Sequence, residues 1–396
     1  MSSIDIRAPT PLLGGHSPAE FMRTYWQKKP LLIRQAIPGF KSPVSPANLK
    51  KLARRDEVES RLIWQENGEW NMENGPFSRF PKVSEPQWSL LVQSVDLHDD
   101  ATAQLMQQFR FIPDARLDDI MISLASMSGG VGPHFDSYDV FLLQGSGQRQ
   151  WRISQQKDLS LVPDIPCKIL QHFVPEQEFV LEPGDMLYLP PHVAHDGISL
   201  SDECITVSIG FRAPSLAVLA RGLLEVAADQ LSAKAGLGFG PYSTPPLPGP
   251  DLSGMFRDKG QPATTEPAAL PDTLVNSALA AVQKIQFNER MAARFLGCWL
   301  TEPNSLTVFP IAEDMTDIED VIADNGCISL DRRSRMIYRG NDVFINGEAL
   351  DIKANALLKK LADTRRLDAA DLKKASETTL TLLQEWMDDG WVIAIE

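Results

Sequence analysis

A mainly β domain, followed by an α-helical region and a small α+β domain, is the fold class this sequence predicts. Three observations lead there. Between residue 119 and about 212, short β-prone runs alternate with turn residues and helical periodicity largely vanishes. From residue 214 onward, apolar residues fall at helical spacing. Near the C-terminus, a hairpin pattern precedes two helical patterns and a closing strand. With 396 residues, the chain has room for two or three domains and at least one large core.

Taken in order, the first element is a helix at HSPAEFMRTYWQ. Ser17 caps it, Pro18 suits its first turn and Glu20 completes a capping box. LLIRQA reads as a strand and SPANLKKLARRDE as a short capped helix. SRLIWQ and EWNME read as strands around the turn ENG, followed by WSLLVQSV and DDIMISLASM. IMISLASM, YDVFLLQ, RQWRIS, EFVLEPGDMLYLP and CITVSIGF are then separated by GG, GSG, PDIP, PGD and PP, the spacing of a sandwich or barrel.

In PSLAVLARGLLEVAADQLSA the period changes, with Leu216, Leu219, Leu223 and Val226 on one stripe. Residues 236–271, rich in Gly and Pro, read as a linker. A second amphipathic helix covers TLVNSALAAVQKI and continues through MAARFLGCWL. The two helical stretches either pack on their own core or pair between subunits. RMIYRGNDVFING predicts a hairpin turning at Gly340-Asn341. ANALLKKLA and DAADLKKASETTLTLLQEWMDDG predict helices, and WVIAIE a last strand, an order that resembles a winged helix. The implied boundaries are 1–212 (core 90–212), 213–302 with the linker inside it, and 303–396.

Composition excludes several classes. A formal charge of −14 argues against general nucleic-acid binding, and residues 331–396 carry 11 basic against 12 acidic side chains. Cys167, Cys204, Cys298 and Cys327 lie far apart, so neither a disulfide framework nor a thiolate zinc site is indicated. No apolar run has membrane-spanning length, and MSSIDIRAPTPLLGG lacks the order of a secretion signal. A cytoplasmic protein is expected.

GVGPHFDSYDVF interrupts an apolar run with His134 and Asp136. On a strand, residues two apart share a face, so both side chains would aim at one spot. Chance alone supplies roughly one H-x-D/E in a chain of this composition, so the motif needs support. EPGDMLYLPPHVAHDG provides it: Pro190 and Pro191 break a strand, and His192 and His195 follow. Two histidines and a carboxylate on one face of iron leave three coordination positions open, the facial triad of non-haem oxygenases. His134, Asp136 and His195 would be the ligands.

H-x-D followed about sixty residues later by G-D-x-x-Y-x-P-x-x-x-x-H resembles the JmjC branch of the cupin 2-oxoglutarate oxygenases, and His195, not His192, matches the distal position. The chain is more specifically similar to the bacterial ribosomal oxygenases, in SGGVGPHFDSYDVFLLQGSGQRQWRI, EPGDMLYLPPHVAHDG, SIGFRAP and WQKKPLLI. Ser137 departs from the Gln that relatives often carry there.

This resemblance implies a double-stranded β-helix, a helical dimerisation region, and Fe(II), 2-oxoglutarate and dioxygen as cofactor and co-substrates. It places the 2-oxoglutarate-binding arginine at Arg149, with Ser123 and Thr206 as further donors. It also implies hydroxylation of an arginyl residue in a large-subunit (50S) ribosomal protein by a homodimer, with succinate and CO2 as co-products. Asp119, Met121 and Tyr138 are the residues expected to receive a guanidinium, by ion pairing and cation–π contact. A histidyl hydroxylase, a methyl-lysine demethylase and a non-catalytic metal-binding cupin are the competing readings.

Overall fold

The computed structural model describes residues 4–82, 84–310 and 316–395. They form two compact units, one running to Ala213 with Leu306–Val308, the other Pro214–Ser305 with the chain from Phe309 onward.

In the first unit the strands are β1 (Leu31–Ile33), β2 (Ser60–Glu66), β3 (Glu69–Asn74), β4 (Trp88–Val92), β5 (Leu117–Ala125) and β6 (Val140–Ser146). They continue with β7 (Arg149–Ser154), β8 (Gln177–Leu181), β9 (Met186–Leu189), β10 (Ala194–Ser199) and β11 (Cys204–Phe211). An eight-stranded sheet in the order β1-β9-β6-β11-β5-β4-β2-β3 faces a three-stranded sheet, β10-β7-β8. These sheets make the expected double-stranded β-helix.

Both faces of the large sheet are covered, so β9 and the first part of β6 read as continuous apolar runs. Phe141, Leu143, Ile205, Val207, Ile120 and Ile122 point outward. There they meet helices α1 (Pro18–Thr24), α2 (Pro46–Leu52) and α3 (Asp100–Gln107), through Phe21, Leu49 and Leu105. Truncating a fully buried ring such as Phe21 or Phe141 would cost about 3–5 kcal/mol. On the inner face, Val140, Leu142, Leu187 and Leu189 pack against Trp151, Ile153 and Leu181 of the small sheet.

Ser17 caps α1 as expected, accepting from the Glu20 N–H. The β2–β3 hairpin turns at Asn67-Gly68, both in the left-handed region that such turns demand. Helix α3, not anticipated from the sequence, starts where the Asp99 carboxylate accepts from the Thr102 N–H at 2.7 Å. Between β8 and β9, Gly184 turns with φ +92° and Asp185 reaches back to the end of β1. Burial alone would raise the Asp185 carboxyl. Bonds from the Gln35 N–H (2.9 Å) and the Arg34 guanidinium (2.6 Å) outweigh it and hold the group below its usual value.

The second unit begins with helices α4 (Leu216–Ala235), α5 (Asp272–Val282) and α6 (Glu289–Thr301). Helices α4 and α6 pack through Val226, Ala227, Met291, Phe295 and Cys298. Gly222 is required there, because a Cβ would lie 2.1 Å from the Phe295 ring. Two expectations are corrected. The helix read across 274–300 is broken before Glu289, where Asn288 caps a new helix by accepting from the Arg290 and Met291 N–H groups. Nor do the four residues of the α4 stripe share one environment. Leu219 and Leu223 pack on this unit's own core, whereas Leu216 is exposed. Residues 236–271 contain neither helix nor strand, yet Gln230 and Arg294 hydrogen-bond the backbone at Tyr242, Ser243 and Pro245.

Two small sheets and further helices complete the unit. The first joins β12 (Cys327–Leu330), β16 (Arg366–Asp368) and β17 (Val392–Ile395), and the second β13 (Met336–Arg339), β14 (Asp342–Ile345) and β15 (Glu348–Ala349). Helices α7 (Ile318–Ala323), α8 (Ala356–Thr364), α9 (Ala369–Leu372) and α10 (Glu377–Asp388) share a core with them at Ile328, Leu358, Leu361, Leu383 and Trp386. The hairpin turns at Gly340-Asn341, as read. Among the described residues, no helix is long and apolar enough to cross a membrane.

Candidate metal centre

His195 lies on β10, in register opposite Ile153 of β7, which aims its ring into the barrel. His134 and Asp136 arrive differently. Residues 135–139 are not a strand, and β6 starts only at Val140. The strand-parity argument therefore does not explain their convergence, and it gives Tyr138 no direction. Instead, His134 forms an isolated bridge with His195: the His134 N–H donates to the His195 carbonyl (2.9 Å) and the His195 N–H to the His134 carbonyl (2.7 Å). The His192 N–H then donates to the Asp136 carbonyl (2.7 Å), turning the loop so that both side chains meet.

One ligating atom from each of His134, Asp136 and His195 lies within 4.8 Å of the others, and the His195 Nε2 to Asp136 Oδ2 distance is 3.6 Å. Each ring is fixed by its other nitrogen. His134 Nδ1 donates to the Gly132 carbonyl at 2.8 Å and His195 Nδ1 to the Val193 carbonyl at 2.9 Å. A carbonyl can only accept, so in the neutral form of each ring Nε2 is the nitrogen left with a lone pair for a metal. Burial, helped by the adjacent His134, pushes His195 down to about 4 against the opposing pull of Asp136, which keeps the ring neutral as a ligand must be. His192 is exposed, with φ +66°, and stacks on Phe135; it does not join the cluster.

On the small sheet, Arg149 faces inward and is 4 % exposed. Its Nη1 donates to the Gly197 carbonyl at 3.3 Å, while Nε and Nη2 are buried without a hydrogen-bond partner among the described residues. A buried guanidinium with two idle donors is costly unless an anion takes them, and a carboxylate matches their fork. Across the barrel, Thr206 lies opposite both Ser123 and Gln144, forming a polar row on the inner face. The Thr206 hydroxyl donates to Gln144 Oε1 at 3.2 Å. Gln144 was not singled out from the sequence, although a glutamine ending the run VFLL was the available signal.

On β5, Asp119, Met121 and Ser123 share that inner face, with Met121 opposite Ser208. Oδ2 of Asp119 accepts from Gln93 Nε2 (2.7 Å), the Ser94 N–H (2.8 Å) and Ser94 Oγ (3.0 Å). Burial, then the Asp118 charge, raises its carboxyl. Tyr138 is 39 % exposed, and its hydroxyl is pushed up by burial and by the charges of Asp136 and Asp119. Tyr138 therefore stands within electrostatic reach of both Asp119 and Asp136.

With this geometry in place, comparisons with known proteins are informative. A JmjC domain profile matches residues 104–219, and a ROXA-like winged-helix profile matches residues 283–392. The ribosomal protein uL16 3-hydroxylase of Escherichia coli is 32 % identical over 94 % of this chain and 96 % of its own. A probable ribosomal oxygenase of Haemophilus influenzae is 31 % identical over 99 % of both chains. Among solved structures, the E. coli ribosomal oxygenase YcfD in complex with cobalt and 2-oxoglutarate has a TM-score of 0.75 at 30 % identity, covering 96 % of this chain and 98 % of its own. Identity at this level, sustained over two whole chains that share the barrel and the winged helix, places the protein in a family: the chain belongs to the JmjC-type ribosomal protein oxygenases.

Proposed function

We propose that this oxygenase binds Fe(II) at His134, Asp136 and His195, takes 2-oxoglutarate and dioxygen as co-substrates, and hydroxylates an arginyl side chain of a large-subunit ribosomal protein. The observation that carries the reading is a neutral-nitrogen and carboxylate donor set beside a buried guanidinium with two unused donors. These residues fit both groups. The donor set suits a divalent transition metal with open positions, and Arg149 suits the distal carboxylate of a dicarboxylic acid. When bound, iron and the oxo acid supply oxidative decarboxylation to succinate and CO2, coupled to oxygen insertion at an unactivated carbon.

The chain's own residues do the rest. Gly132 and Val193 carbonyls hold the two imidazoles in the metal-binding tautomer. Arg149 anchors the co-substrate, while Ser123 and Thr206 flank it from the large sheet. Leu142, Leu187 and Trp151 exclude water from the interior. Asp119 and Tyr138 receive the target: the carboxylate offers Oδ1 to a guanidinium, and the half-exposed ring offers its face. The name of the E. coli relative, a uL16 hydroxylase, supports a ribosomal substrate. The enzyme works as a homodimer joined through the apolar residues that α5 leaves uncovered in a single chain.

Anaerobic addition of Fe(II) and 2-oxoglutarate tests the site. The wild type should develop the weak visible charge-transfer band of a chelated oxo acid, and His134→Ala should not. Absence of the band in wild type, or its persistence in His134→Ala, refutes the assignment.

A further inference from the structure

We infer that Trp70 and Ile169 are positioning residues for His134, acting through Gly132. The inference rests on His134 being a metal ligand and goes beyond it, because it explains how a ligand without a strand of its own keeps its ring angle.

Of the three candidate ligands, only His195 sits in regular structure; His134 and Asp136 lie in the loop between β5 and β6. A histidine in a loop needs its second-nitrogen acceptor held still, since that acceptor sets tautomer and ring orientation. Here the acceptor is the Gly132 carbonyl, 2.8 Å from His134 Nδ1. Gly132 has φ +78°, a conformation that glycine adopts without penalty and from which a glycine peptide also escapes readily unless something confines it.

Two side chains from distant parts of the sequence confine it. A Cβ at Gly132 would lie 2.5 Å from Ile169 Cδ1 and 2.7 Å from Trp70 Cζ2, so both side chains press directly on the glycine. Trp70 comes from β3, the edge strand of the large sheet. Ile169, 6 % exposed, comes from the connection between β7 and β8. That connection is itself pinned to the loop, because the Leu170 N–H donates to the Pro133 carbonyl at 2.8 Å. Pressed from two directions, the 132–133 peptide cannot rotate without displacing a buried isoleucine or an indole. Sequence reading passed over Trp70 as an ordinary strand residue and gave Ile169 no role.

The test uses the full-length, metal-stripped protein titrated with Co(II) alone and followed by the visible d–d absorption of the bound ion. Trp70→Ala and Ile169→Ala should each weaken Co(II) binding about tenfold, the lower end of what loss of an outer support costs a metal site. Each should also change the shape of the d–d envelope, which a purely structural residue would leave alone. Trp70→Phe, which keeps a flat ring over Gly132, should recover most of the affinity and the wild-type envelope. His134→Ala serves as the reference and should lose the band. If both alanine variants bind Co(II) with wild-type affinity and spectrum while His134→Ala does not, the positioning role is wrong and the metal assignment stands. If His134→Ala also binds as wild type does, the metal assignment fails and takes the positioning role with it.

Discussion

Arg149 carries an unusual load for a single residue. It is a buried cation with two donors unsatisfied among the described residues, a burden of roughly 1–3 kcal/mol or more in the ligand-free protein. Such a burden persists where function needs it. Replacing Arg149 with Met, which fills similar space without charge, should therefore raise the melting temperature of the ligand-free protein by a few degrees. It should also abolish the stabilisation that 2-oxoglutarate confers on the wild type, which amounts to about 2.7 kcal/mol at a hundred times the dissociation constant. Differential scanning fluorimetry with and without the oxo acid reads both effects. A lower melting temperature together with retained ligand stabilisation would make Arg149 an ordinary strand residue. The cluster of His134, Asp136 and His195 was legible in the sequence, because its members sit in motifs with fixed spacing, whereas Arg149 was placed by resemblance. The supports that orient them were not. Carbonyl acceptors at Gly132 and Val193 have no side-chain signature, and the glutamine that ends VFLL gains its meaning only once β6 and β11 are in register.

Among the elements, α5 stands apart. None of its residues is buried within one chain, and Leu279 and Val282 are 57 % and 64 % exposed. An apolar helix face left in water is costly, and in the proposed homodimer a second copy would cover it. The double variant Leu279→Glu with Val282→Glu should convert a dimer to monomers in analytical ultracentrifugation while leaving Co(II) binding intact. An unchanged sedimentation coefficient would remove α5 from the interface. The residues first suggested by helical periodicity, Leu219 and Leu223, would make a poor test, because they pack against the core that α4 and α6 form within their own chain. Periodicity identifies an apolar stripe but not which molecule covers it. It likewise ran one helix through residues 283–288, where the Asn288 cap begins a second. Most strands of the barrel were read closely, since turn residues punctuate their ends, but β10, which carries His195, was not assigned. By contrast, α3 escaped notice because its apolar pattern is short and polar residues dominate it.

For the whole molecule, the order of barrel, helical region and winged helix was visible in the changing hydrophobic period, and the structure adds the packing that period cannot specify. The mechanism of convergence at the centre was misread. His134 and Asp136 meet His195 through a bridge and a loop held from several sides, not through strand alternation. The proposed target side chain is argued from charge. An arginyl group brings a permanent planar cation that calls for a carboxylate, which a neutral imidazole does not. In the proposed reading, Asp119 meets that need, with Tyr138 beside it. The most direct measurement incubates the Fe(II)-loaded enzyme with 2-oxoglutarate, air and unmodified large-subunit ribosomal proteins, then locates any added oxygen by fragmentation mass spectrometry, with Asp119→Ala alongside. The account predicts one protein heavier by a single oxygen on an arginine side chain, and loss of most of that product in Asp119→Ala with 2-oxoglutarate binding retained. Oxygen on a histidine, or full arginine hydroxylation by Asp119→Ala, would contradict it.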